Sequence, residues 1–195
     1  NRSTMAILIV GEFIFGLGDS LLIAAGVGNT PWTVLAEGIA DTAEVWTIGE
    51  ATFLVSIAVM FLWIPIKETP GIGTILNIII IALTIHVMVP ILPQPESYLV
   101  SILMASSGII LVGIGSTMYL TANLGPGPRD GWMTGLQKAT GIPIGRVRIT
   151  IEVSVLLIGI VLGGTFGIGT ILFALTIGPV VASCLSIASR IDSTT

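Results

Sequence analysis

The sequence predicts an all-α polytopic membrane protein. Six transmembrane helices form two inverted three-helix repeats, each with a short re-entrant or interfacial half-helix after its first span. Three observations lead there. Apolar residues make up 53% of the 195 and only 9% are charged, with a mean hydropathy of +1.05; a soluble domain of this length needs far more charge to cover its surface. The chain also repeats itself. Gly16-Leu17-Gly18, Gly28-Asn29-Thr30-Pro31, Ile48-Gly49 and Gly71-Ile72-Gly73-Thr74 return as Gly113-Ile114-Gly115, Gly125-Pro126-Gly127-Pro128, Ile144-Gly145 and Gly167-Ile168-Gly169-Thr170. The offset is 97 residues for the first two pairs and 96 for the last two, so one residue separates the registers of the copies. The third observation is the placement of charge, taken up below.

The spans follow in order. Residues 5–26 form an apolar run without a small-residue cleavage site after a short core, and read as a retained helix. Residues 48–66, 71–93, 98–123, 147–164 and 168–189 each approach the roughly 20 residues that cross a hydrocarbon core. Repeat 1 covers 5–93 and repeat 2 covers 98–190, within a single membrane domain of residues 1–195. Between the first two spans lies Asn29–Trp46, and between the fourth and fifth lies Gly125–Gly145. Both stretches have helical character but too many polar residues to face lipid. Each begins with Gly and places Pro at the first helical position, so each reads as a half-helix.

Charge supports that division. With the N-terminus in the cytoplasm, six spans put Arg2, Lys67, Arg129, Lys138, Arg146, Arg148 and Arg190 on the cytoplasmic side, and Glu37, Asp41, Glu44 and Glu96 on the other. All seven basic residues obey the positive-inside pattern. Counting the half-helices as full spans puts Lys67 and Arg129 outside. Three crossings per repeat also make the second copy enter the membrane from the opposite side, the inverted arrangement on which many secondary transporters are built. Both termini are then cytoplasmic.

Several function classes fall away. A net charge of −4 without a Lys/Arg run argues against nucleic-acid binding. The single cysteine, Cys184, allows no intramolecular disulfide, and with one histidine there is no metal-ligand spacing. No nucleophile–histidine pair suggests an enzyme, and no cofactor is expected. The partners expected are the lipid bilayer and a small solute, and the small size leaves room for a homodimer.

The motif Leu124-Gly125-Pro126-Gly127-Pro128-Arg129-Asp130-Gly131 is followed by Thr134-Gly135, Thr140 through Gly145, Arg148, Ile151-Glu152-Val153, Gly163-Gly164 and Gly167 through Thr170. On these residues the chain resembles the YczE/YyaS/YitT family of bacterial integral membrane proteins, closest to its YczE-like branch. The second repeat carries the resemblance strongly and the first weakly. It implies a bacterial cytoplasmic (inner) membrane protein, of a family described either as transporters or simply as uncharacterised, with no trusted substrate and no established catalytic residue.

The sharpest candidate site is the loop Gly125, Gly127, Pro128, Arg129 and Asp130. Free N–H groups at a helix start, a positive dipole end and a guanidinium suit an anion such as a carboxylate or phosphate-like group. The plainer reading pairs Arg129 with Asp130 or with lipid headgroups. The counterpart in repeat 1, Asn29 and Thr30 before Pro31, lacks a cation; Trp32-Thr33 stand where repeat 2 has Arg129-Asp130. In the first span Glu12 and Asp19 lie seven residues apart on one helix face. Acids at membrane depth are costly and make candidate ion or proton sites. Ser116 occupies the repeat-related position of Asp19. The competing reading hydrogen-bonds Asp19 to Ser20, Ser116 or Thr117.

Other features read structurally. Arg148 and Glu152, four apart, form an anchoring ion pair. Glu50 caps the second span, and His86 in the third finds a hydrogen bond on a neighbouring helix. Trp32, Trp46, Trp63 and Trp132 fit an interfacial aromatic belt. The resulting expectation is a small secondary transporter for an anionic or zwitterionic solute bound between the repeats. A passive anion channel, or a non-transporting scaffold or regulator of a partner protein, is the alternative.

Overall fold

Each stretch read as helical folds as a helix in a computed structural model that describes residues 2–43 and 46–192. Glu44 lies outside the described residues, as does the side chain of Arg190. The order is α1 (Arg2–Ala25), α2 (Pro31–Ala43), α3 (Ile48–Phe61), α4 (Trp63–Ile66), α5 (Ile72–Met88), α6 (Tyr98–Ala122), α7 (Pro128–Thr140), α8 (Ile144–Val161) and α9 (Ile168–Asp192). Among the described residues there is no strand.

Four of these are long and apolar enough to cross a membrane: α1, α3 continued by α4 (Ile48–Ile66), α6, and α9 over Ile168–Ser189. That is two fewer than the sequence reading expects. At 17 residues α5 extends only about 26 Å, just short of a core of about 30 Å. The 18 residues of α8 include Arg146, Arg148 and Glu152. The half-helices match expectation: α2 and α7 have 13 residues each, and both start at proline.

Glycine spacing sets the packing. In α1 and α6 the helices run antiparallel, with Gly11 against the Gly115 carbonyl and Gly18 against the Gly108 carbonyl. Gly108 and Gly115 are the repeat equivalents of Gly11 and Gly18, so each contact is the other with the copies exchanged. Small residues here let two backbones approach where lipid supplies no hydrophobic drive. Around this pair α5 packs on α1 and α9 packs on α6.

Each of these short helices packs on a helix of the other sequence repeat, α2 on α8 and α7 on α3 and α4. Gly38 meets the Gly159 carbonyl and Leu162 in the first contact, while in the second the Trp63 indole fills the space left by Gly131. Trp63 Nε1 donates to the Pro128 carbonyl at 2.9 Å. The belt reading of the tryptophans therefore fails for two of them: Trp63 is 2% and Trp32 5% exposed. Gly131 makes room for Trp63, Trp32 lies in the core with Val55, Val59 and Met133, and buried indole surface outweighs an interfacial position.

The loops interlock reciprocally. Gly73 N donates to the Leu124 carbonyl at 2.9 Å and Gly169 N to the Val27 carbonyl at 2.8 Å, again equivalents. The turns turn sharply at Gly28 (φ +116°) and Gly125 (φ +124°). Thr74 Oγ1 donates to the Pro126 carbonyl at 2.7 Å. At the other end of the bundle, Glu37 joins α2 to the α8–α9 loop. Its carboxylate accepts from Asn29 Nδ2 (2.8 Å), Thr165 N (2.7 Å) and Thr165 Oγ1 (2.8 Å).

Glu37→Ala is expected to cost about 3 kcal/mol, since hydrogen bonds to a charged group contribute about 1.5–3 kcal/mol each and their donors are left unpaired. Thermal unfolding in detergent checks this against Glu68→Ala, which removes an exposed pair with Lys138 (2.7 Å) worth about 0–1 kcal/mol. Equal losses would show the Glu37 cluster to be idle.

One pair of equivalents differs. Across α3 and α5, Gly49 packs against Ala82 and His86, and Thr47 Oγ1 lies 2.9 Å from His86 Nδ1. Thr47 and Glu50 complete a capping box there, as the sequence suggests for Glu50. The equivalents on α8 and α9 are Gly145, Gly178 and Ala182. Nothing lies within 4 Å of a side chain placed at Gly145 or Gly178. Among the described residues α8 and α9 form no packed seam like that of α3 and α5.

Candidate functional site

The two half-helix starts meet across one cavity of about 550 Å³. Thr30, Pro31 and Trp32 reach it from α2, and Gly127, Pro128, Arg129 and Asp130 from α7. The proline at each N-terminus fixes φ for the first turn without removing a needed donor, which holds these residues at the cavity wall. The unpacked sides of α8 and α9 line it too, through Arg148, Glu152, Gly178 and Ala182.

Arg129 is the centre of the site. Its guanidinium carbon stands 5.1 Å from the centre of the Trp32 ring, a cation–π contact between repeat-equivalent residues. Trp132 meets Trp32 edge-on, with ring centres 6.4 Å apart. Among the described residues Arg129 makes no ion pair. Burial pulls its guanidinium below the usual range while Asp19 and Asp130 push it back up. An arginine stays protonated at neutral pH under such a pull. The sequence alternative in which Arg129 pairs with Asp130 is not what the structure holds: the Asp130 carboxylate instead accepts from the Tyr119 hydroxyl.

Asp19 is fully buried behind the cavity. Thr33 Oγ1 donates to its Oδ2 at 3.0 Å, and Thr30 Oγ1 lies 2.8 Å from Thr33 Oγ1. A chain of hydroxyls thus runs from the cavity wall to a buried carboxyl whose Oδ1 has no partner among the described residues. Thr33, not Ser20, Ser116 or Thr117, is the partner found. Ser20 donates to the Gly16 carbonyl and Thr117 to the Gly113 carbonyl.

The remaining candidates divide. Ser116 lines the cavity. Glu12 is fully buried, and neither of its oxygens has a hydrogen-bond partner among the described residues. Asn29 and Gly125 are not on the cavity wall: Asn29 is taken up by Glu37, and Gly125 lies against Gly71. Arg148 and Glu152 pair at 2.9 Å as expected, and they also face the cavity. Tyr119, Trp32, Asn77 and Thr52 are cavity residues that reasoning along single helices misses. Thr52 Oγ1 is buried without a partner. The repeat register offers a signal for one of them, because Trp32 aligns with Arg129.

A profile described as a family of unknown function (DUF6198) matches residues 2–186. An uncharacterised protein of Haemophilus influenzae is 45% identical over 188 residues, which is 96% of this chain and 86% of that protein. The uncharacterised membrane protein YczE of Bacillus subtilis is 33% identical over 86% of this chain and 79% of its own length. The uncharacterised protein YyaS of the same organism is 25% identical over 84% of this chain and 83% of its own. No solved structure matches.

Proposed function

The chain belongs to the DUF6198 family, whose function is unknown, and from that premise we propose that it is a small secondary transporter for an anionic solute. It has six crossings in two inverted repeats, α1, α3–α4 and α5 followed by α6, α8 and α9, with α2 and α7 as half-helices. The site is the cavity where those half-helices meet, at mid-membrane. The chain is multi-pass in the bacterial inner membrane with both termini cytoplasmic, in keeping with a relative described as a membrane protein and with the single-sided placement of basic residues.

The observation that carries the reading is an asymmetry between equivalent seams. Gly49 is packed against Ala82 and His86, while among the described residues Gly145 and Gly178 meet nothing, and Gly178 lines the cavity. A protein built from two equivalent halves with only one seam open has an evident second state, in which the open and closed seams exchange. Rocking of one repeat against the other then exposes the site to each side in turn. The Glu37 cluster closes the outer end in the present state. Arg129 holds the solute, with Gly127, Pro128 and Thr30 beside it, and Asp19 takes up a coupling proton through Thr33 and Thr30. Glu12 on α1 and Ser116 on α6 are further coupling candidates.

Labelling of Ser116→Cys in a Cys184→Ser background, with a membrane-impermeant maleimide applied to oriented vesicles, tests this. A transporter gives fast labelling from the cytoplasmic side and slower labelling from outside. Equal fast labelling from both sides indicates a channel, and labelling from one side alone a protein that does not cycle. Either of the last two outcomes overturns the reading.

A further inference from the structure

Resting on the transporter reading, the geometry points to one substrate class: a monovalent organic anion with an apolar body, an alkyl or aryl carboxylate held at its head by Arg129. Two properties of the cavity lead there. Its volume of about 550 Å³ is that of a site for a sizeable organic ligand. An inorganic ion displaces the space of only a few waters, at about 30 Å³ each, and leaves most of it empty. Much of the remaining wall is apolar, built from Ile78, Ile81, Val112, Phe173, Ile177 and Val181. Such a wall returns binding free energy only to a ligand that covers it.

The charges fix the other end. The guanidinium fork has no carboxylate partner among the described residues, and a planar fork suits a carboxylate in two-point contact. Trp32 covers one face of it, leaving the edge for the ligand. The carboxylates lining the cavity are already engaged, Asp130 by Tyr119 and Glu152 by Arg148. Glu152 is neutralised by Arg148, whereas Asp130 keeps its charge beside Tyr119, so the amino acid of the same body is the competing ligand that the experiment must separate from the organic acid. Thr52 Oγ1, buried on the cavity wall without a partner among the described residues, supplies one further polar point for a ligand.

Titration of tryptophan fluorescence with the full chain in phosphatidylcholine nanodiscs tests the class, because Trp32 lies against Arg129. The probes are acetate, hexanoate, 3-phenylpropionate, phenylalanine and inorganic phosphate. Each buried methylene adds about fourfold in affinity, so hexanoate and 3-phenylpropionate are expected to bind at least about tenfold more tightly than acetate or phosphate. Arg129→Gln should remove the saturable response to both long acids, and Arg129→Lys, which keeps the charge but not the fork, should retain part of it. Phosphate or acetate binding as tightly as hexanoate, still dependent on Arg129, overturns the substrate class and leaves the transporter reading standing. Tighter binding of phenylalanine does the same in favour of a zwitterion. Undiminished binding of every probe by Arg129→Gln removes the site from both.

Discussion

Cysteines at Gly145→Cys and Ala182→Cys, in a Cys184→Ser background, are expected to cross-link to completion although no seam joins their helices in the structure. The matching pair Gly49→Cys and His86→Cys sits in a packed seam and should oxidise first, once the helices part by about 1 Å to admit a side chain at Gly49, whose Cβ would otherwise stand 2.6 Å from that of His86. The difference in rate measures the second state. A conformer populated at about 0.1–10% cross-links about 10- to 1000-fold more slowly than a preformed contact. Mass spectrometry of the tryptic bridge follows both reactions with time. A 145–182 bridge that never forms would show that the open seam is a fixed feature and not one half of an exchange. A bridge that forms as fast as 49–86 would show that the two seams do not alternate.

The second large effect falls on the interlocked turns. Gly125→Val should prevent accumulation of folded protein. The backbone there has φ +124°, a region that a branched side chain does not tolerate, and a Cβ would stand 2.9 Å from both Gly71 Cα and Thr74 Oγ1. Strain of about 1–3 kcal/mol and overpacking of about 1–3 kcal/mol together take on the order of 4 kcal/mol from a fold whose whole margin is about 5–15. Gly28→Val should match it, since φ is +116° and the Gly167 nitrogen would lie 2.6 Å away. Gly145→Ala is the control, with nothing within 4 Å and an expected change within about 0.5 kcal/mol. Membrane-fraction yield and thermal unfolding separate the three. Normal unfolding of Gly125→Val would mean that the loops do not brace the helices they touch.

Local features were legible before any coordinates. Proline at positions 31 and 128 marks both half-helix starts, and the Thr47–Glu50 cap and the Arg148–Glu152 pair follow from spacings of three and four. Each depends on residues within one turn of one helix, where the chain itself sets the geometry. The contacts that shape the cavity span 97 residues or more in several cases: Trp32 under Arg129, and Thr165 on Glu37. No periodicity within a helix encodes them. Tyr119 on Asp130 is closer in sequence, yet it bridges a span and a half-helix across a sharp turn. Hydropathy also marked tryptophans as interfacial because it reads a residue's own polarity, whereas Trp63 is buried by the absence of a side chain at Gly131. Membrane crossings were the coarsest estimate, since α5 and α8 fall outside simple length and charge limits.

The reciprocal loops bear on how the protein is made. Val27 and Gly28 have their docking place on Gly167 and Gly169, about 140 residues downstream. Leu124 has its own on Gly73, about 50 residues upstream. During synthesis the later turn finds its partner already made, whereas the earlier one waits until α9 has emerged. The first copy therefore persists with an uncovered turn that α9 closes, and the order of translation becomes an order of assembly.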